Sequence, residues 1–334
     1  MGGSASEPLR VGFIGAGSFA EWTLYPALAL APVSLQAVCD LDEARARSVA
    51  GKFGTGRWYT DHHELWERED LEALIVCMGP RARQALVREA LEAGYHVFCP
   101  TPPAASLEDA LELAEVAERT EKVLMIDFQR RFSFGIRKAC RLVAEPEFGR
   151  LTQLHCSFCS GRYDERRSAG YDDHVEAFLL DFAVHHLDLA RFLGGDVDEL
   201  SVYSMERDAG FAVAASLSFR DGAVGTLQMN SQRIWWRNYD RVELTGEGSY
   251  VVVEDLWKVR SYREAGNTFT ENHSDERVGE LTGDGPALAE FAAAVRAGRE
   301  PVCSIRDGVE TMRLHQALHD AMRAGRAGTI SLQP

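Results

Sequence analysis

The chain has 334 residues, of which 46% are hydrophobic and 26% charged, and a formal net charge of −15. That length suits two domains, no apolar run approaches the roughly 18 residues that span a bilayer, and the negative balance disfavours nucleic-acid backbones and anionic lipid surfaces as partners. The seven cysteines are odd in number, scattered and mostly set in apolar runs, a pattern of reduced core thiols and a cytoplasmic location. Cys156 and Cys159 form one C-x-x-C, but in a strand pattern that spacing points them to opposite faces, so no metal site is expected there. Only Lys52, Lys122, Lys138 and Lys258 are lysines, so chemistry that needs a lysine with a lowered pKa has few candidates.

In chain order, apolar runs over 9–14, 35–39, 74–77, 96–99 and 123–128 alternate with helical patterns over 19–30, 42–52, 81–93 and 107–119. Ser106 and Asp109 form a cap pair before the last of these helices. Alternation of this kind predicts βαβ units and a doubly wound parallel sheet. Past about Phe128 the pattern changes to a helix over 134–143, a strand over 151–157, an arginine-rich loop and a helix over 176–193. Strand patterns follow over 199–204, 212–219, 224–232, 241–244 and 250–254, with an Asp221-Gly222 hairpin signal between the second and third, and helices return over 285–297 and 306–323. The expected fold class is α/β. A Rossmann domain occupies 1–128, and a second α/β domain with an open, mainly antiparallel sheet occupies 129–334.

Gly15-Ala16-Gly17-Ser18-Phe19-Ala20 follows the first strand and opens the first helix, in the context a G-x-G-x-x-[GA] dinucleotide fingerprint requires. The first glycine permits the tight turn, and the second lets the backbone approach a pyrophosphate at the helix N-terminus. Asp40 closes the next strand 23 residues after Gly17, where a carboxylate binds the ribose hydroxyls and repels a 2′-phosphate, which favours NAD over NADP. Arg45 and Arg47 partly offset that repulsion or form a solvated helix face.

With Gly15-Ala16-Gly17, Asp40, Pro26-Ala27-Leu28, Ala93-Gly94-Tyr95-His96-Val97, Arg130-Arg131-Phe132, Asp181-x-x-x-His185-x-x-Asp188 and the hairpin from Asp221 to Thr226 in place, the sequence resembles the Gfo/Idh/MocA oxidoreductase family over nearly its whole length. The resemblance implies a sugar, cyclitol or similar polyol substrate, and a homodimer or homotetramer formed through the second domain's sheet. It also implies that Ser18, Phe19, Met78, Gly79 and Arg130 join the glycines and Asp40 at the cofactor. The family's usual lysine sits in a Glu-Lys-Pro motif after the fifth strand. Here that motif reads Pro100-Thr101-Pro102, so Thr101 stands in the lysine position. The family's Thr-Pro-Asn-x-x-His likewise reads Met78-Gly79-Pro80-Arg81-Ala82-Arg83.

Thr101 donates a hydrogen bond but brings no charge. His185 is suited to acid–base work near neutrality, and Asp181, four residues earlier, is placed to hold its tautomer. Arg131, Tyr163, Tyr171, His174 and Asp188 are the expected substrate contacts, His186 falls on a different helical face and reads as structural, and Ile234-Trp235-Trp236 reads as sheet packing or an oligomer contact. Asp173, His174, Glu176, Asp181, His185 and Asp188 lack the spacing of a defined metal set, so none is assigned. Three functions share these features. The first is an NAD(P)-dependent dehydrogenase or reductase with an atypical site; the others are a nucleotide- or sugar-binding sensor without turnover and a redox-neutral enzyme that keeps NAD bound.

Overall fold

A computed structural model describes residues 7–159, 171, 174–207, 210–231, 239–263, 268–272, 280, 282–324 and 329–332. The chain forms two compact units, one of residues 1–129 and 283–309 and the other of 130–282 and 310–334. Among the described residues no helix is long and apolar enough to cross a membrane.

The first unit is built on β1 (Leu9–Ile14), β2 (Val33–Cys39), β3 (Trp58–Tyr59), β4 (Ala73–Val76), β5 (His96–Pro100) and β6 (Leu124–Asp127). All pair in parallel in the order β3-β2-β1-β4-β5-β6. The β4 and β6 side chains are buried throughout, as strands covered on both faces require, which is why these segments read as unbroken apolar runs. Helices Glu43–Lys52, His62–Arg68 and Leu107–Thr120 begin at Asp42, Asp61 and Ser106, whose side chains accept from the backbone N–H of Arg45, His63 and Asp109. The Ser106 cap is the expected one. β3 and helix His62–Arg68 were not expected, because a two-residue strand carries no readable period.

The sequence reading assigned everything after 128 to the second domain, but residues 283–309 fold onto the first unit. Helix Asp284–Ala297 presents small and apolar residues, and its Phe291 ring packs 5.6 Å from that of Phe98 on β5. Ile126 donates its N–H to the Cys303 carbonyl at 2.9 Å. Arg296 donates from Nη2 to Glu72 Oε2 at 3.0 Å and pairs also with the other carboxylate oxygen, so that Arg296 and Arg10 hold the Glu72 carboxyl near 2 despite opposing burial. Contacts between segments some 200 residues apart leave no local trace in a sequence.

The second unit carries β7 (Leu151–Cys159), β8 (Val197–Arg207), β9 (Gly210–Phe219), β10 (Val224–Asn230), β11 (Tyr239–Gly246), β12 (Ser249–Glu254), β13 (Lys258–Arg263), β14 (Thr268–Asn272) and β15 (Thr329–Ser331). The sheet runs β14-β13-β12-β11-β7-β10-β9-β8-β15 and is antiparallel except for β7 with β10. β13 and the two edge strands, β14 and β15, are not among the expected elements. The Asp221-Gly222 hairpin joins β9 to β10, but through three residues rather than two. Gly222 N–H bonds the Phe219 carbonyl at 2.9 Å, Phe219 N–H bonds the Ala223 carbonyl at 3.0 Å, and Gly222 takes φ +89°.

Phe158, Phe178, Phe211 and Phe219 centre the core of this unit between the sheet and the segment His174–Phe178, Leu179–Ala183, Val184–Gly194. That segment reads as one helix in sequence, yet Leu179–Ala183 is a π-helical turn, a feature frequent at functional sites. At Gly135, on helix Phe134–Val143, an added Cβ would lie 2.5 Å from Val253 Cγ1 and 2.6 Å from the Leu256 carbonyl oxygen. Gly135→Ala is therefore expected to lower stability by about 1–3 kcal/mol, measured by denaturant unfolding.

Two histidines, His96 half-buried and His315 buried, make the fold acid-sensitive. Burial, with the Lys122 charge, pulls His96 down to about 4, and burial, with His319, pulls His315 down to about 3. His96 Nδ1 also accepts the Val123 N–H at 3.0 Å, a bond its protonation would remove. The unfolded histidines titrate near 6.5, so below that pH the unfolded chain binds more protons than the folded one, and this stability is full above about pH 6.5 and lost on acidification. Thermal unfolding should move to lower temperature between pH 7 and pH 5; a flat or opposite trend would contradict this assignment.

Candidate functional site

At the C-terminal end of β1, Gly15 adopts φ +107°, and a Cβ there would lie 2.0 Å from the Cys77 carbonyl oxygen. Only glycine fits this turn. Cys77 N–H bonds the Ile14 carbonyl and Gly15 N–H the Cys39 carbonyl, both at 2.8 Å, so the loop is fastened to the ends of β4 and β2 together. Tyr25 donates its hydroxyl to the Gly15 carbonyl at 3.2 Å while its ring stacks 3.9 Å from Phe13. A Cβ at Gly17 would meet nothing within 4 Å, which leaves the open approach a pyrophosphate needs. Ser18 and Phe19 start the helix there, Phe19 with its ring half exposed, and the helix passes through a π turn at Ala20–Leu24.

Asp40 Oδ2 accepts the Ala16 N–H at 2.7 Å and Oδ1 accepts the Asp42 N–H at 2.9 Å. Each oxygen keeps a second lone pair for a ribose hydroxyl. The turn, the open glycine, the helix start and the fixed carboxylate together fit a dinucleotide. Met78 and Gly79 follow β4, and a Cβ at Gly79 also meets open space. Thr101 and Pro102 follow β5 and are joined by a cis peptide bond. Arg83, buried in the first turn of helix Pro80–Glu92, donates to the carbonyls of Met78 and Pro102 and so binds these two segments together. Asp61, His62 and His63 lie close together on the first unit, with Glu89 against both imidazoles.

In the second unit, Tyr171 donates its hydroxyl to Asp181 Oδ1. His185 is buried; its pKa is held well below the ordinary value by burial, by Arg130 and by His186, with Asp240 opposing, so the imidazole is neutral at pH 7. Arg130, expected at the cofactor, lies in a buried cluster. Its Nη1 donates to Asp240 Oδ1 at 2.5 Å, and His186 Nε2 lies 2.7 Å from the same oxygen. The His186 ring stacks on Phe158 with 4.5 Å between centroids, and the Arg130 guanidinium lies 5.1 Å from that ring. Burial would raise the Asp240 carboxyl, but Arg130 and His186 outweigh it and hold it below the usual range.

Arg131 and Asp188, both expected to meet substrate, meet each other. Arg131 Nε and Nη2 donate to the two Asp188 carboxylate oxygens at 2.8 and 2.5 Å, and both side chains are buried. A bidentate pair already supplies what each charge needs in a water-poor interior. Tyr163, the His174 side chain, Asp172, Asp173, Trp235 and Trp236 lie outside the described residues. Asp240 escaped the sequence reading because an aspartate within an alternating strand pattern carries no local signal. All seven cysteines are free thiols, with Cys156 buried and Cys159 accepting from Asn230 Nδ2 at 3.0 Å.

Comparison with known proteins adds to this geometry. Residues 9–128 match the model of an oxidoreductase family with an NAD-binding Rossmann fold, and residues 136–252 match that of the GFO/IDH/MocA C-terminal domain. Myo-inositol 2-dehydrogenase of Thermotoga maritima is 26% identical over 338 residues, covering 96% of this chain and 98% of its own. D-apiose dehydrogenase of Paraburkholderia graminis is 26% identical, covering 96% of this chain and 88% of its own. Among solved structures, a dehydrogenase from Chromobacterium violaceum superposes with a TM-score of 0.88 at 21% identity, over 94% of this chain and 95% of its own. Levoglucosan dehydrogenase in complex with NADH and L-sorbose superposes with a TM-score of 0.87 at 17% identity, over 98% of this chain and 99% of its own. The first unit is an NAD-binding Rossmann domain.

Two substitutions test the geometry. Asp188→Ala removes the bidentate partner of the buried Arg131 charge and should cost about 3–5 kcal/mol of stability in denaturant unfolding. Asp40→Ala removes the acceptor that orders the glycine loop and should weaken NADH binding on the order of tenfold or more, read by fluorescence titration.

Proposed function

Because the chain belongs to the Gfo/Idh/MocA oxidoreductase family, we propose that it transfers hydride between NAD and a hydroxyl-bearing carbon of a sugar or cyclic polyol. The relatives named for inositol, apiose and glucoside substrates support this substrate class. The observation that carries the reading is the polar helix of the second unit, where Tyr171 is bonded to Asp181 one turn before a neutral, buried His185.

Gly15, Gly17, Ser18 and Phe19 hold the pyrophosphate, Asp40 the ribose, and Met78 and Gly79 the nicotinamide side. Bound NAD supplies the hydride acceptor, or in its reduced form the donor. His185, being neutral at pH 7, takes the proton of the substrate hydroxyl in the oxidation direction. Asp181 orients Tyr171 through their hydrogen bond, and Tyr171, with Tyr163 and His174, contacts the substrate's other hydroxyls. Thr101 donates a neutral hydrogen bond to the reacting oxygen where the family uses a lysine. Arg131 with Asp188, and Arg130 with Asp240, hold the framework on which these groups sit, a role their mutual saturation supports.

The proposal extends to a cytoplasmic homo-oligomer formed through the second unit's sheet, supported by exposed Tyr203, Met205 and Val224 and by the Tyr250 and Tyr262 rings stacked 4.3 Å apart. Purified protein with NAD and a panel of inositols, pentoses and glucosides should generate NADH. His185→Ala should lower kcat by about 10²-fold or more with NADH affinity retained. Tight NADH binding with no turnover on any member of the panel would point instead to a sensor, the reading that the missing lysine favours.

A further inference from the structure

The first unit's sheet order is that of two mononucleotide-binding halves, and Gly15, Gly17 and Asp40 belong to the half built on β1 to β3. In such sheets the ligand lies beyond the C-terminal ends of the strands, so the second nucleotide of a dinucleotide falls to the ends of β4 to β6. Arg83 is buried at that end, with 2% of its surface exposed. Its guanidinium donates to the Met78 carbonyl at 3.2 Å and to the Pro102 carbonyl, one residue from Thr101. Both partners are neutral, and among the described residues no carboxylate pairs with it.

Asp127, the acidic side chain at the end of β6, makes no ion pair with it. Asp127 ends β6 in register with Pro100 and is buried, and burial together with Asp284 on the helix packed against β6 raises its carboxyl well above the usual range. Cys77 and Cys99, which feel both Arg83 and Asp127, are pushed up by burial, Cys77 to about 12, so neither supplies an anion at neutral pH. The ends of β4 and β5 therefore contain a buried positive charge that, among the described residues, meets carbonyls and no paired carboxylate.

The two forms of the cofactor differ at the ring this end receives, since oxidised nicotinamide is a cation and reduced nicotinamide is neutral. We propose that Arg83 selects the redox state of the bound nucleotide, disfavouring NAD+ relative to NADH by charge repulsion. The inference rests on NAD binding by the first unit and not on the proposed substrate or on turnover. Arg83 thus holds the Thr101–Pro102 segment in place and also contributes a charge that the neutral Thr101 lacks.

The test is the ratio of the dissociation constants for NAD+ and NADH, measured by calorimetry on the full chain without substrate. The unaltered protein should bind NADH on the order of tenfold or more tightly than NAD+, the size expected for unit charges several ångströms apart at an effective dielectric of about 20. Arg83→Gln, which keeps donors but removes the charge, should reduce that ratio on the order of tenfold, and Arg83→Lys should retain most of it. Thr101→Lys, which adds a second cation on the adjacent segment, should widen it. Equal affinities in the unaltered protein would overturn the proposal, and so would an unchanged ratio in a folded Arg83→Gln or a Thr101→Lys that leaves the ratio where it was. An Arg83→Lys that behaves like Arg83→Gln would assign the effect to loop geometry and overturn it as well. Absence of turnover on every polyol leaves these affinities measurable, so the two readings fail separately.

Discussion

The close approach of Gly15 to the Cys77 carbonyl, which leaves no room for a side chain, sets the geometry of the first unit's binding edge. Four strands contribute to this edge. The turn leaves β1, bonds to the end of β2 through Cys39, abuts the end of β4, and through the Met78 and Pro102 carbonyls on Arg83 connects to the segment after β5. If the turn opened, Gly17 and the helix start would lose the position from which their backbone meets a pyrophosphate. Tyr25 and Asp40 reinforce the same loop from opposite ends, one at the Gly15 carbonyl and the other at the Ala16 N–H.

Buried arginine recurs at the candidate site groups. Among the described contacts Arg83 meets carbonyls, Arg130 meets a carboxylate it shares with a histidine, and Arg131 meets a carboxylate with its guanidinium 4.8 Å from the Phe192 ring. The guanidinium has several donors in a rigid plane, and these let it cross-link backbone and side chains in an interior where a lysine would leave acceptors unmet. With four lysines in the chain, arginine carries the positive charge that positions groups, while Thr101, just after β5, is neutral. Burial, with the Arg130 charge beside it, explains why His185 is neutral, and Asp240 only partly opposes them.

Period and punctuation made much of the fold legible. The continuous apolar runs of β1 and β4 to β6, the Ser106 cap and the Asp221-Gly222 turn are set by neighbours within a few residues, so they appear in the sequence directly. The short β3, the strands β13 to β15 and the π turn at Leu179–Ala183 depend on pairing and packing from elsewhere, and a local pattern does not encode them. The same division holds for the site. Gly15, Gly17 and Asp40 are legible because a strand–turn–helix unit contains them all. The partners of Arg130 and Arg131 lie 110 and 57 residues away, so sequence could suggest only that two arginines in a row matter, not that both are already paired.

The sequence by itself determined that an NAD-type fingerprint opens a parallel sheet and that a mainly antiparallel sheet follows. These conclusions rest on residue type and spacing over short stretches. Tertiary structure alone decided that residues 283–309 belong to the first unit, that Arg131 and Asp188 pair with each other, and that Arg83 lies buried on the Met78 and Pro102 carbonyls beside the segment holding Thr101. Each of these depends on which distant groups share a water-poor volume, and there burial and charge, rather than local spacing, decide what a side chain does.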